Sequence, residues 1–317
     1  MFKKIFSIIL ILIMAVSLSA CKKEPIEEPT DTTEITETPQ LPASRVKTYA
    51  FFGTDARPND TSARSDVIML LRIDPEKEDI KIASVYRDTL LDYNGLRKCN
   101  SAYAIDGPKG AVKMLENNLD IEIEGYIAAN FNTVADIIDL MGGVDIELTG
   151  EEAYFANNYI HEMNRMYKKD IGDVAPGMQH LNGIQAVAYA RIRYTEGWDY
   201  KRTERQRTIL TLLFEKMKTA DKTQKSIVLE KAFEEIYTNM NEGVTARIIE
   251  DSIKYECSDN EGFPKYKTGK SIEGQGDCVI PNDLVKNVKW LHKFLYDETE
   301  YEPTETIKNI NEQINSL

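Results

Sequence analysis

Apolar residues occur in short runs in the first half of the chain, separated by stretches with helical spacing. Three runs, at 49–52, 67–71 and 80–85, are rich in apolar and β-branched residues and predict buried strands. Two later runs, at 125–129 and 144–148, predict further strands. We therefore expect a sheet built mainly from the first half of the chain.

Apolar residues at helical spacing predict most of the other elements. Proline at 108 suits the first turn of one helix, and the glycine pair at 142–143 ends another. The stretch 151–179 predicts a helix followed by a mobile loop. Further helices are expected at 108–119, 131–141, 181–190, 201–219, 225–240, 245–255 and 281–296. Strands alternating with helices predict an α/β fold, a layered α-β-α domain whose helices flank a central mixed sheet.

Four segments are expected along the chain. Residues 1–20 have the charged start, apolar run and small final residues of a signal peptide. Residues 21–44 are rich in proline, threonine and glutamate and predict a disordered tether. The folded domain covers 45–299, with a polar insertion after residue 255. Residues 300–317 predict a frayed acidic tail.

The end of the signal peptide predicts how the protein is attached. Leu18-Ser19-Ala20-Cys21 resembles the lipoprotein box of bacteria, which implies a lipid on Cys21 and anchoring at the outer face of the cytoplasmic membrane. An ordinary secreted protein or an uncleaved anchor remains the alternative. In each case the folded domain lies outside the cytoplasm.

Charge and cysteine content narrow the classes of function. The net charge of −13 argues against a nucleic-acid partner, so an anionic substrate must meet a local basic cluster. The histidines are scattered, which disfavours a zinc site or a Ser-His-Asp triad. Cys257 and Cys278 flank a polar segment, and a disulfide between them is left open because the sequence does not fix their separation.

Two aspartates mark a candidate metal site. Asp55 follows the first predicted strand, Asp66 precedes the second, and Arg64 lies between them. If the two strands are neighbours, both carboxylates lie together, as a Mg²⁺ site beside phosphate requires. The alternative is that either aspartate only caps a turn.

Arginines form two clusters in an otherwise acidic protein. Arg87 stands at the exit of the third strand, and Arg191 and Arg193 flank an isoleucine. Arg202 and Gln206 are four residues apart and share one face of a predicted helix. Guanidinium groups bind phosphate oxygens in pairs, so these clusters suit a pyrophosphate. A solvated helix end, balanced by neighbouring acids, is the alternative for the second cluster.

These residues belong to a longer ordered set of motifs. The set comprises Gly53-Thr54-Asp55, Arg64-Ser65-Asp66, Arg87-Asp88-Thr89, Lys98 with Asn100 and Ala102-Tyr103, Gly142-Gly143-Val144, Ala190-Arg191-Ile192-Arg193, and Asp199 with Arg202, Arg205 and Gln206. Over roughly 46–217 the sequence resembles the LytR-CpsA-Psr family of cell-wall glycopolymer ligases. One position departs from the family, because Tyr86 stands where a proline usually precedes Arg87.

The resemblance implies an extracytoplasmic phosphotransferase. Such an enzyme transfers a glycopolymer from polyprenyl pyrophosphate to a hydroxyl of peptidoglycan and releases polyprenyl phosphate. It implies Mg²⁺ held by Asp55 and Asp66, catalysis by Arg87, and proton transfer to Asp55 or Asp88, with Asp55 slightly favoured. The residues implied to bind the pyrophosphate are Arg64, Arg87, Lys98, Arg191, Arg193, Arg202 and Gln206.

Two other functions fit the same sequence. One is a hydrolase that uses water as the acceptor of the phosphoryl group. The other is a surface lipoprotein that binds glycopolymer or lipid without turnover. The sequence also leaves open which polymer is transferred, whether teichoic acid, capsule or another.

Overall fold

A computed structural model describes residues 46–55 and 63–317, apart from the side chains of Trp198, Asp199 and Asp251. The predicted signal peptide, the anchor residue Cys21 and the tether lie outside this part of the chain. Within it, no helix combines the length and the hydrophobicity needed to cross a membrane.

A six-stranded mixed sheet forms the centre of the fold, with its strands numbered along the chain. Its spatial order is β10 (Glu256–Phe263), β3 (Asp79–Val85), β2 (Ser65–Asp74), β1 (Lys47–Thr54), β6 (Gly125–Asn130) and β9 (Tyr237–Thr238). The β1–β2, β2–β3 and β6–β9 pairs are antiparallel, whereas β6 runs parallel to β1 and β10 parallel to β3.

Three strand pairs and a set of helices surround this sheet. The pairs join β4 (Leu90–Asp92) with β5 (Leu96–Lys98), β7 (Val144–Leu148) with β8 (Gly177–Leu181), and β11 (Lys267–Ile272) with β12 (Gly276–Pro281). The helices are α1 (Asn100–Leu119), α2 (Phe131–Leu140), α3 (Gly150–Tyr167), α4 (Gly183–Ala190), α5 (Trp198–Thr219), α6 (Lys222–Glu235), α7 (Glu242–Lys254), α8 (Leu284–Tyr296) and α9 (Glu305–Asn315).

The two faces of the sheet carry separate hydrophobic cores, because successive strand residues point to opposite faces. Tyr49 and Met69 lie in a first core with residues of α2, α3, α4 and α5. Phe52 and Leu70 lie in a second core with residues of α1, α8 and α9. Helices therefore cover both faces, and the predicted α-β-α layering with a central mixed sheet is confirmed.

The C-terminal predictions need correction. Residues 300–317 are not a frayed tail, because α9 places Ile307, Ile310 and Ile314 in the second core. Their spacing of three and four residues puts all three on one face of the helix, which the acidic composition obscured. The predicted polar insertion after residue 255 instead forms β10, β11 and β12. Cys257 and Cys278 are free thiols, so the disulfide left open is not formed.

Candidate active site

The first two strands bring Asp55 and Asp66 to the same edge of the sheet. In the antiparallel pair, Gly53 lies opposite Val67, with a bulge directly after the glycine. A Cβ on Gly53 would lie 2.8 Å from the Val67 side chain, so this close approach requires glycine. The condition on which the aspartate pair was predicted, that β1 and β2 are neighbours, is therefore met.

Arg87 follows β3 and joins the carboxylates of two aspartates. Its Nη1 donates a hydrogen bond to Asp66 Oδ1, and its Nε lies 3.5 Å from Asp88 Oδ2. Lys98 Nζ lies 3.1 Å from Asp88 Oδ1. The four side chains are between 13% and 21% exposed, so solvent only partly screens their charges. We call these residues, Asp66, Arg87, Asp88 and Lys98, the charge chain.

Backbone hydrogen bonds hold the charge chain in shape. Asn100 N–H donates to the carbonyl of Arg87 at 3.0 Å, and Cys99 N–H donates to the carbonyl of Thr89 at 2.8 Å. These bonds tie the start of α1 to the turn after β3. Lys98, at the end of β5, is therefore fixed beside that turn.

Arg191 occupies the other end of the site. Its Nη2 lies 3.5 Å from Asp55 Oδ2 and 3.2 Å from Glu162 Oε1. Its guanidinium carbon lies 5.2 Å from the ring centroid of Phe131 and 5.0 Å from that of Tyr159. Cation–π attraction to two rings fixes the orientation of this arginine. The Arg191 end is thus aromatic, whereas the charge chain is polar.

The pKa of Tyr159, which lies at the Arg191 end, is affected by two further arginines. Burial raises the pKa of the Tyr159 hydroxyl, and the neighbouring Tyr194 adds to the rise. The positive charges of Arg191, Arg193 and Arg202 act in the opposite direction on this pKa. Since such an effect requires proximity, three predicted phosphate-binding arginines share the surroundings of one hydroxyl.

The predicted helix face carrying Arg202 and Gln206 is buried. The two residues lie one turn apart on α5 and are 3% and 7% exposed. The alternative of a solvated helix end is therefore wrong for this face. Arg64 is exposed and shares a cavity with Lys98.

Arg205 has a structural role that the sequence did not indicate. Its Nε donates to Glu152 Oε1 at 3.0 Å, Nη1 to the carbonyl of Ile192 at 3.3 Å, and Nη2 to Thr195 Oγ1 at 2.8 Å. The last two of these bonds attach the segment 191–195 to α5. Arg205 therefore positions the loop that presents Arg191.

Two glutamates act as counter-charges that sequence reasoning missed. Glu162 faces Arg191, and no local pattern distinguishes it from other acids of α3. Glu152 pairs with Arg205 and also closes a capping box with Thr149, a pattern that was readable from the sequence. Asp199, part of the motif set, has its side chain outside the described part of the structure.

The fit of a metal ion depends on the carboxylates at the sheet edge. No group of three or more His, Cys, Asp or Glu residues that could hold a metal occurs in 46–55 and 63–317. Mg²⁺ commonly uses one or two carboxylates together with substrate phosphates and waters, so Asp55 and Asp66 suit it as a partial ligand set. The Mg²⁺ cofactor stays a prediction.

Comparisons with known proteins place the chain among relatives of one family. The family model described as "LytR_cpsA_psr family" matches residues 12–266. A curated relative, polyisoprenyl-teichoic acid–peptidoglycan teichoic acid transferase TagV of Bacillus subtilis strain 168, is 30% identical over 256 residues, covering 76% of this chain and 61% of that protein. The enzyme TagU of Halalkalibacterium halodurans, which bears the same transferase name, is 29% identical over 193 residues, covering 59% of each chain.

The chain thus spans about three fifths of the length of these two relatives. A solved structure described as "TagT bound to LI-WTA" superposes with a TM-score of 0.62 at 20% identity, covering 80% of this chain and 90% of that one, which shows a shared fold. The family match runs over most of the chain and contains every residue of the charge chain. The chain therefore belongs to the LytR_cpsA_psr family.

Proposed function

We propose that this protein transfers a glycopolymer from polyprenyl pyrophosphate to a hydroxyl of peptidoglycan and releases polyprenyl phosphate. The observation that carries the proposal is the charge chain, which joins two carboxylates, a guanidinium and an ammonium at the sheet edge where Asp55 and Arg191 also meet. The transferase names of TagV and TagU support the same reaction. Teichoic acid is the polymer in those names.

The arginines and the lysine would bind the donor through its phosphates. Guanidinium groups bind phosphate oxygens bidentately, and Arg87 and Arg191 stand at opposite ends of the aspartate pair. Arg193 and Arg202 add positive charge near Tyr159. Phosphoryl transfer needs little covalent chemistry from the protein, so positioning and neutralisation of charge account for the catalysis.

We further propose Asp55 and Asp66 as the residues that hold Mg²⁺. When bound, the ion would neutralise charge on the phosphoryl oxygens. The carboxylate of Asp88 is then the acid of the charge chain that holds no ion, and we propose it as the group that accepts the proton of the attacking hydroxyl. Its contacts with Arg87 and Lys98 fix it in place for that role. This assignment differs from the slight preference for Asp55 drawn from the sequence.

We also propose that the protein carries a lipid anchor on Cys21. The motif that ends in Cys21 supports it, and the tether of 21–44 would give the domain reach along the outer face of the membrane. We expect the expressed protein to be labelled by palmitate, and we expect the Cys21→Ala variant to lose this label.

Substitutions in the charge chain test the proposed reaction. We expect Asp66→Ala and Arg87→Ala to lower the transfer rate by about 100-fold or more while the protein stays folded, because each removes charge that neutralises or orients the pyrophosphate. The measurement uses a lipid-linked polymer donor and peptidoglycan with Mg²⁺, together with thermal unfolding of each variant.

Matched controls and products complete this experiment. Asp170→Ala and Arg247→Ala remove the same charges at exposed positions and should leave transfer unchanged. Transfer that survives in both charge-chain variants would refute the proposal. Release of polyprenyl phosphate without attachment to peptidoglycan would identify the hydrolase, and binding of donor without any product would identify the non-catalytic lipoprotein.

A further inference from the structure

A cavity of about 360 Å³ adjoins the Lys98 end of the charge chain. Its wall includes Arg64, Arg97 and Asn100, together with Gln275 in the turn between β11 and β12. Cavities that bind small molecules measure roughly 300–1,000 Å³, so this one is in the range of a ligand site. Arg64, Arg97 and Lys98 give its wall positive charge.

Asn100, one of the residues that line this cavity, has an unsatisfied amide. The residue is 1% exposed, and neither Nδ2 nor Oδ1 has a hydrogen-bond partner among the described residues. Asn118 in the same helix shows the usual state of a buried amide, since its Nδ2 donates to two carbonyls and its Oδ1 accepts from the N–H of Asp92. A buried amide without partners is costly to the fold, which points to a ligand that satisfies it.

The chemistry of the amide indicates the class of ligand. Both a donor and an acceptor of Asn100 are unpaired, whereas a phosphate oxygen can only accept. A sugar hydroxyl both donates and accepts, so it can satisfy either atom. The cavity therefore suits a carbohydrate, with Arg64 and Arg97 placed for carboxylates that the carbohydrate carries.

Hydrogen bonds tie the β11–β12 hairpin, which contributes Gln275 to the wall, to β5 and to Asp88. Gln275 Nε2 donates to the carbonyl of Leu96 at 3.0 Å, which holds the β11–β12 turn against β5. Val279 of β12 donates its N–H to the carbonyl of Asp88 at 2.9 Å. The family match ends at residue 266, and this hairpin, 267–281, begins directly after it.

The direction of phosphoryl transfer decides which sugar the cavity takes. In an in-line displacement, the attacking oxygen and the leaving oxygen lie on opposite sides of the phosphorus. The aromatic Arg191 end, with Phe131 and Tyr159, suits the leaving polyprenyl phosphate. The attacking hydroxyl then approaches from the Asp88 and Lys98 end, where the cavity lies.

We propose that the cavity between Asn100 and the β11–β12 turn binds the sugar of peptidoglycan that supplies the attacking hydroxyl. This inference rests on the proposed function. The hydroxyl oxygen forms a bond to the phosphorus that carries the polymer, and the bond from that phosphorus to the leaving oxygen breaks. Polyprenyl phosphate departs with the electron pair, and the hydroxyl proton passes to the Asp88 carboxylate.

Direct binding of an acceptor fragment tests the inference. The probe is a soluble N-acetylglucosamine–N-acetylmuramic acid tetrasaccharide, titrated by NMR into the purified full-length protein without donor. We expect Gln275→Ala and Asn100→Ala each to raise the Kd of the fragment about tenfold, the usual effect of one lost hydrogen bond to a ligand. Gln313→Ala, an exposed glutamine on α9, is the matched control and should leave this Kd unchanged.

A second titration separates acceptor from donor. The Kd of a polyprenyl-pyrophosphate-linked sugar should change less than about twofold in Gln275→Ala, because Gln275 is neutral and adds no charge that binds the phosphates. Failure of the wild-type protein to bind the fragment, or weakening of donor instead of fragment, would overturn the inference. Because Gln275 lies in a turn at the surface, the result does not depend on whether Asn100→Ala folds.

Failure of the proposed function has a different signature. Fragment binding that depends on Gln275, combined with absence of transfer, would refute the ligase and leave the carbohydrate site standing. Transfer by the wild-type protein, combined with an unchanged acceptor KM in Gln275→Ala, would refute the carbohydrate site and leave the ligase standing.

Discussion

Tyr86, which stands in place of the family's usual proline, is held by neighbours from three elements. Its ring meets that of Tyr200 edge to face, with centroids 4.8 Å apart. Lys267 Nζ lies 4.8 Å from the Tyr86 centroid and 4.7 Å from the Tyr200 centroid. A Cβ on Gly262 would lie 2.1 Å from the Tyr86 hydroxyl oxygen, so glycine leaves the room that this ring needs. Packing thus replaces the ring of a proline in fixing the backbone before Arg87.

The cation between the two rings should affect the phosphate site. We expect Lys267→Met to weaken binding of inorganic pyrophosphate roughly 3- to 10-fold, because a partly buried cation–π contact contributes about 1 kcal/mol and Tyr86 directly precedes Arg87 in the chain. Lys267→Arg keeps the cation and should restore affinity. Isothermal titration measures both.

A second cation–π pair supplies the control for this prediction. Lys286 Nζ lies 4.0 Å from the ring centroid of Tyr266, and this pair includes neither Tyr86 nor Tyr200, so Lys286→Met should not alter pyrophosphate affinity. Equal pyrophosphate affinities for Lys267→Met and the wild-type protein would show that the contact between Lys267 and Tyr86 does not affect the phosphate site.

The first turn of α3 both caps its own helix and binds Arg205. Thr149 caps the helix through the N–H of Glu152, and the Glu152 carboxylate returns a bond to the N–H of Thr149. The same carboxylate accepts from Arg205. Burial would raise the pKa of Glu152, but the hydrogen bonds from Thr149 and Arg205 outweigh it and lower this pKa below 4.5.

The lowered pKa predicts how this turn responds to acid. A carboxylate whose folded-state pKa lies below its unfolded value stabilises the fold above that unfolded value of 4.5, and the gain disappears as pH falls through the folded-state pKa. We therefore expect Glu152→Gln to lower Tm at neutral pH and to differ less from the wild-type protein below about pH 4. Glu151→Gln, in the same turn, is the control. A Tm difference that is constant with pH would contradict the assignment.

Elements with a strong local pattern were predictable from the sequence, and elements made by distant pairing were not. The strands β1, β2, β3 and β6 carry apolar runs that must be buried, so their positions follow from composition. In β10 half of the residues are exposed and only two are buried, and its place in the sheet depends on pairing with β3, far away in the chain. No local window contains that information.

The residues of the site also divide into those that local sequence predicted and those that it did not. The proximity of Asp55 and Asp66 could be predicted because one loop connects their strands, and the arginines belong to recognisable sequence motifs. The partners of those arginines, Glu152 and Glu162, come from α3 and become neighbours only in the folded chain. The wall that Gln275 adds beside Lys98 likewise depends on a hairpin without apolar periodicity.

The last two helices, α8 and α9, complete the second core of the whole molecule. Helix α9 contributes Ile307, Ile310 and Ile314, which are at most 4% exposed. The segment before α9 is fastened as well, since Tyr301 stacks on His292 with centroids 3.5 Å apart. The C-terminus is thus part of the domain that carries the site.

Removing one of these isoleucines should destabilise the whole domain. We expect Ile307→Ala to lower the free energy of unfolding by about 2–4 kcal/mol, because the lost transfer energy adds to that of a cavity in a fully buried position. Urea denaturation measures the change, with Gln313→Ala on the exposed face of α9 as the control. An effect below about 0.5 kcal/mol would mean that α9 does not share the cooperative core.

The cations of the active site already face carboxylates of the protein: Arg87 faces Asp66, Lys98 faces Asp88, and Arg191 faces Asp55. An arriving pyrophosphate must therefore exchange with these internal anions rather than occupy an empty basic patch. The exchange releases the same two aspartates that we propose as ligands of the divalent ion. Donor and ion would then assist one another's binding reciprocally, since each would remove a competitor of the other.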